Sequence, residues 1–213
     1  HCAALVPKNH IGYSNSELSK KNIQITKNLL RHTTCPIIYI SSMTIYNKRS
    51  NKTFKEDDNY EPNSNYGQSK LKCEELIMRS NRSGFSIRIP GLFGLPRKSG
   101  IVYNLIYAKK YNFSFNLPKS PILWATMHVS DAAKTIAKLV EKNLDIFEKI
   151  NIGYNEEFSI NSLLNNLEEM YGYKFDNTIN HPSFQFDLSK SHLYGVNPKR
   201  TFKKALKAFY NQI

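Results

Sequence analysis

Tyr66 and Lys70 stand four positions apart in a chain of 213 residues, the only Tyr-x-x-x-Lys pair among its 13 tyrosines. On a helix that spacing sets both side chains on one face, about one turn apart. A tyrosine with a reference pKa of about 10 is a poor base at neutral pH, and a neighbouring ammonium stabilises its phenolate and draws the value toward the working range. Ser42 supplies a third polar group. It follows the apolar, β-branched run 36–40, which reads as a buried strand of a parallel sheet, and so puts a hydroxyl at the strand's carboxyl end, where open α/β sheets place ligands. Taken alone, Ser42 reads as a turn cap. Its position relative to Tyr66 makes it a candidate to hydrogen-bond an alcohol or a carbonyl.

The elements that must hold these groups alternate. Apolar spacing predicts a helix over 16–31 with Ser16 as its N-cap, the strand at 36–40, a polar surface loop over 46–65, a helix over 66–80 and a strand at 85–89 stopped by Pro90-Gly91. Further helices are expected at 101–110, 131–142, 159–170 and 201–210, with a strand at 149–152. Strands alternating with helices imply an α/β fold, a doubly wound parallel sheet, and the less regular second half implies a smaller appended lobe.

Composition bounds the partners. With 40% hydrophobic and 12% aromatic residues the chain can bury a core. The formal net charge of +13 favours anionic partners, but the lysines are scattered, so a solvated Lys-rich surface is the better reading and no nucleic-acid face is expected. Cys2, Cys35 and Cys73 have neither paired nor metal-ligand spacing, which indicates no disulfide framework and no metal site and fits a reducing cytoplasm. No apolar run reaches the ~18 residues of a membrane span.

Several blocks, in order, resemble the extended short-chain dehydrogenases that act on nucleotide sugars. His1-Cys2-Ala3-Ala4 looks like the segment after the fourth strand of their Rossmann-like sheet, and residues 22–30 look like the helix that follows. Residues 39–46 resemble the strand and catalytic serine, which places the carried-over hydroxyl on Ser42. Glu56-Asp57, Pro62, Tyr66-Gly67-Gln68-Ser69-Lys70 and Glu74 resemble the block that carries the catalytic tyrosine and lysine. Residues 87–94 resemble the strand and loop flanking the nicotinamide, and residues 127–133 the family's His-Val-x-Asp block.

The resemblance implies NAD or NADP as cofactor, a nucleotide sugar as substrate and a homodimeric full-length form. It implies Ser42, Tyr66 and Lys70 as catalytic residues, and Ala3, Ala4, Tyr66, Lys70, Pro90 and Gly91 as cofactor contacts. It puts Met43 and Thr44 beside the substrate, with Arg97 and Lys98 as candidates to meet its phosphates. Residues 1–92 would then be the remaining part of the dinucleotide-binding domain and 93–213 mostly a substrate lobe, with about 128–153 returning to the first.

Dehydratases of the family carry an acidic pair where Met43 and Thr44 stand, so epimerisation or carbonyl reduction is expected instead. Trp124 occupies a position where relatives often place a phosphate-binding arginine. On their own chemistry, Asp131 reads as readily as a helix cap, Arg88 as an ion-paired residue that orders loops, and His128 as a packed residue. The family's glycine-rich first turn is absent from the nine glycines, so the sequence is expected to be a fragment with negligible dinucleotide affinity. The rival expectation is a degenerate, non-catalytic binding or regulatory domain.

Overall fold

The computed structural model describes residues 1–7, 11–46, 53–58, 60–142 and 144–213. Helix α1 (Ser16–His32) includes the expected cap Ser16 as its first residue, because Asn15, one position earlier, takes the capping role and accepts the Leu18 N–H with its side chain. Strand β1 (Ile37–Ser42) follows, and its last residue opens a short 3-10 turn, Met43–Ile45. Helix α2 (Asn65–Met78) is capped by Ser64, whose hydroxyl accepts the Gly67 N–H. Gly67 could be no other residue, since a Cβ there would lie 2.3 Å from the Thr44 carbonyl oxygen. That close approach seats the start of α2 on the turn that follows β1.

Strand β3 (Gly84–Ile89) lies parallel to β1 in a register that sets Ser42 opposite Ile89, and β6 (Phe147–Asn151) lies parallel to β3 on its other side. The main chain of His1 runs along the free side of β1, receiving the Ile40 N–H and donating to the Ile38 carbonyl. The two faces of the sheet are covered separately. Ile37 and Tyr39 pack with Cys73 and Ile77 of α2 and with Ile23, Leu29 and Leu30 of α1. Phe85, Ile87 and Ile150 face the larger core, which includes Ala132 and Leu139 of α4 (Val129–Val140). The period-two alternation along each strand thus becomes an α/β fold with a parallel sheet clothed by helices on both faces.

The rest of the chain adds two small parallel pairs. One joins β4 (Gly91–Phe93) to β5 (Thr126–His128), the other β2 (Thr53–Phe54) to β7 (Gln185–Phe186). The stretch 46–65, expected to be a loop throughout, therefore contains a short strand, and Phe54 is buried against the aromatic rings of Phe184 and Phe186. Helices α3 (Ile101–Lys110), α5 (Ile160–Tyr171), α6 (Ser189–Leu193) and α7 (Phe202–Tyr210) complete the structure. Among the described residues no helix is long and apolar enough to cross a membrane.

Candidate active site

Tyr66 and Lys70 come from the first two turns of α2 and are both buried, 6% and 5% exposed. The Lys70 ammonium donates to the Ile40 carbonyl at 2.7 Å and lies 4.9 Å from the Tyr39 ring centroid and 5.7 Å from that of Tyr66. It sits between two phenol rings with its charge turned to the edge of β1. Burial is costly to that charge and brings the Lys70 pKa down to about 8. Burial also pushes the Tyr66 phenol well above its ordinary value, with Tyr13 adding to the shift.

This corrects the expectation that Lys70 would draw the tyrosine down. One donor of the ammonium goes to the Ile40 carbonyl, the charge lies 5.7 Å from the Tyr66 ring, and desolvation of the phenol is the dominant effect. Tyr66 is therefore protonated at neutral pH, which suits it to give a proton before it takes one.

Ser42 is half-buried at the end of β1, and its hydroxyl accepts the Thr44 N–H at 3.2 Å and the Thr44 hydroxyl at 3.0 Å. Thr44 thus holds the serine and is itself half-buried. Met43 is different. Its side chain packs in the larger core and is 9% exposed, while Ser42 and Thr44 on either side of it are half-buried. The reason is the 3-10 turn, which points successive residues in different directions at three per turn.

The segment at 3–4 is clamped from α1. Asn22 accepts the Leu5 N–H at 2.7 Å and donates to the Leu5 carbonyl at 3.0 Å, while Thr26 meets His1 Nε2 at 3.0 Å. Ala3 is exposed and Ala4 half-buried, and the neighbouring Cys2 is near enough to Lys70 to influence its titration. Pro90 is buried and Gly91 exposed just past the end of β3, beside Ser42 by the β1–β3 register, with the Gly91 N–H given to the Ala125 carbonyl.

A cleft with room of about 90 Å³ opens next to Gly91, lined by Arg97, Ser99, Gly100, Trp124 and Thr126 among others. Arg97 is exposed there. Lys98 is exposed as well but does not line it, and Ser42, Tyr66 and Lys70 stand outside it.

Behind the site lies a buried ionic network. Arg88 of β3 is fully buried and grips Glu74 of α2 with two hydrogen bonds at 2.7 and 3.1 Å. It also donates to the Tyr46 hydroxyl and the Glu56 carbonyl, both at 3.0 Å, and is stacked by the Tyr60 ring at 4.3 Å. The Glu56 carboxylate accepts the Asn151 N–H. Arg88 is thus an ion-paired residue that ties β3 to α2 and to the segment between β1 and α2, as its chemistry suggested.

His128 caps α4 through Nδ1, which accepts the Ser130 N–H, and its ring packs edge-on against Phe93. Asp131 is not a cap; it pairs with Arg200 at 2.6 Å and accepts the Tyr154 hydroxyl. Trp124 packs against Phe158. Among the described residues no cluster of His, Cys, Asp or Glu could hold a metal ion.

Two groups at the site escaped the sequence reading. Tyr13 packs its ring edge-on to Tyr66, with centroids 5.4 Å apart, and nothing in the polar stretch around it marks it out. Asn22 was visible only as part of a helix pattern, although a buried amide on a helix face is a signal for a backbone clamp.

The sequence model of the RmlD substrate binding domain matches residues 2–151. The chain belongs to that family. Among curated proteins it is similar to methionine adenosyltransferase 2 subunit beta of Bos taurus and of Pongo abelii, in each case 27% identical over 150 residues, which is 68% of this chain. The chain spans 44% of the length of these relatives.

Among solved structures it resembles UDP-glucuronic acid 4-epimerase from Bacillus cereus in complex with NAD, with a TM-score of 0.77 at 22% identity over 98% of this chain and 71% of the other. It resembles UDP-glucose 4-epimerase with UDP-glucose from Thermotoga maritima equally, with a TM-score of 0.77 at 19% identity over 99% and 75%. The family membership places the chain in the epimerase and reductase superfamily, and the structural likeness gives it a Rossmann-like fold.

Proposed function

We propose that the chain carries the proton-transferring half of an NAD(P)-dependent epimerase or reductase acting on a nucleotide sugar. The observation that carries this reading is the meeting of three groups at one sheet end: Ser42 at the end of β1, and Tyr66 and Lys70 buried on one side of α2. The solved neighbours with this fold include proteins in complex with NAD and with UDP-glucuronic acid.

The residues present fit the nicotinamide half of such a cofactor. The Lys70 ammonium lies at the carboxyl end of β1, near enough to Cys2 to feel it, and Pro90-Gly91 follow the end of the neighbouring strand β3. When bound, NAD or NADP would carry the hydride. The chain's own residues would manage the proton: Tyr66 holds it at the phenol oxygen, Ser42 hydrogen-bonds the reacting oxygen of the sugar, and Lys70 keeps a positive charge next to the phenol. Arg97 and Lys98 would serve the phosphates from the loop after β4. On this reading residues 1–92 form the cofactor side and 93–213 mostly the substrate side, with about 128–153 returning to the first.

The test is conversion of a panel of UDP-sugars with NAD or NADPH, followed by NMR. Preceded by a glycine-rich dinucleotide-binding segment of the kind its own glycines do not form, the protein should act on one or more, and Tyr66→Phe should lower turnover by about 10²- to 10⁴-fold with circular dichroism unchanged, since only the titratable hydroxyl is lost. Near-normal turnover in Tyr66→Phe would overturn the mechanism.

A second reading has one observation in its favour, the likeness to a protein named as a subunit of methionine adenosyltransferase 2. On it, the chain is a non-catalytic binding or regulatory domain. No conversion of any sugar by a chain that is folded and binds its ligand would favour that reading.

A further inference from the structure

We propose that Tyr13 is a substrate-positioning residue of this site, the aromatic wall against which the sugar ring is set for Tyr66; the assignment rests on the reading of the site given above. Tyr13 is carried on the 3-10 turn Ile11–Ser14, which is tied to the start of α2 by the Asn65 side-chain amide donating to the Ser14 carbonyl at 2.7 Å. Asn65 is the residue before Tyr66. Movement of the turn and movement of the tyrosine are therefore coupled through neighbouring backbone.

The Tyr13 ring stands at 83° to that of Tyr66, edge to face, so the two phenols form a corner and not a stack. Tyr13 is half-buried, which leaves part of its ring for another molecule. It also feels the charge of Arg97, the exposed cation of the cleft beside Gly91. Tyr13 thus neighbours the hydroxyl that would exchange a proton and lies within reach of the field of the cation that would meet a phosphate. A sugar linked to a phosphate has the same order of parts: a reacting hydroxyl, a ring with apolar C–H faces, and an anion. An aromatic ring suits the middle part, because it gives a flat apolar surface at little conformational cost.

Calorimetric titration of the full 213-residue chain with UDP-glucose and with UDP as separate probes tests the assignment. Tyr13→Ala should weaken UDP-glucose about tenfold and leave UDP within twofold of wild type, because only the former brings a sugar to the wall. Tyr13→Phe should restore UDP-glucose affinity, since the ring is kept, and this rescue separates a wall from a hydroxyl contact or a loss of folding. Equal weakening of both probes, or no change in either, would overturn the assignment while leaving the site reading standing. Failure of wild type to bind either probe would overturn both.

Discussion

Lys70 holds a charge in a place that resists charge, and this has a consequence that solution measurements can reach. Its pKa in the fold is brought down to about 8 from the ordinary 10.5, so between those values the unfolded chain binds a proton that the folded chain has released. Stability should therefore rise with pH across that window and be lowest, as far as Lys70 is concerned, below pH 8. Denaturant unfolding of wild type and Lys70→Met at pH 7 and at pH 10.5 isolates the effect, because every other titrating group is common to both. Wild type should gain about 1–3 kcal/mol relative to the variant over the range. Parallel curves would mean that the ammonium is better solvated than its burial indicates.

The three candidate catalytic residues could be found at this scale without coordinates, because their spacing and strand-end position follow from chemistry and pattern. The state of Tyr66 could not. Whether a phenol is lowered by a cation or raised by burial depends on where the ammonium points, and the bond from Lys70 to Ile40 joins positions 30 apart in the chain. The packing of Met43 could not be read for a similar reason, since one 3-10 turn decides how far a residue after a strand turns into the core.

At the scale of elements, α2 is held by two devices, one at its start and one past its middle. The first is the Gly67 contact with the Thr44 carbonyl, the second the Arg88–Glu74 pair, one turn beyond Lys70. Together they fix the rotation of the helix about its axis and thereby the direction in which Tyr66 and Lys70 point. Removing one ion of a buried pair leaves the other uncompensated, so Arg88→Met should cost about 3–5 kcal/mol in urea unfolding. The double variant Arg88→Met, Glu74→Leu should recover a large part of that loss, because no lone charge is left behind. A double variant no better than the single one would show that the Tyr46 and Glu56 contacts, and not the Glu74 carboxylate, account for the stability.

The longer helices and the strands of the main sheet were legible from periodicity, with boundaries within about two residues of their expected places, while the five-residue α6 was not foreseen. The short pairs β2–β7 and β4–β5 were not. Strands of two or three residues have no room to show a period, and β2 and β7 are brought together across about 130 positions by packing of Phe54, Phe184 and Phe186.

The whole molecule presents a positive surface, and its formal charge of +13 fits an anionic ligand such as a nucleotide sugar without selecting one. On the reading proposed above, what selects is the set of Tyr66, Ser42 and Lys70, with Arg97 of the neighbouring cleft to meet the phosphates. The measurement that tests this most directly is NMR of the chain labelled with carbon-13 at the tyrosine ζ position, with Tyr66 assigned by the Tyr66→Phe variant. Addition of UDP-glucuronic acid or UDP-glucose should shift the Tyr66 signal, while UDP alone should leave it in place. A Tyr66 signal that stays fixed while a UDP-sugar binds would contradict the account, because the phenol would then have no part in meeting the sugar.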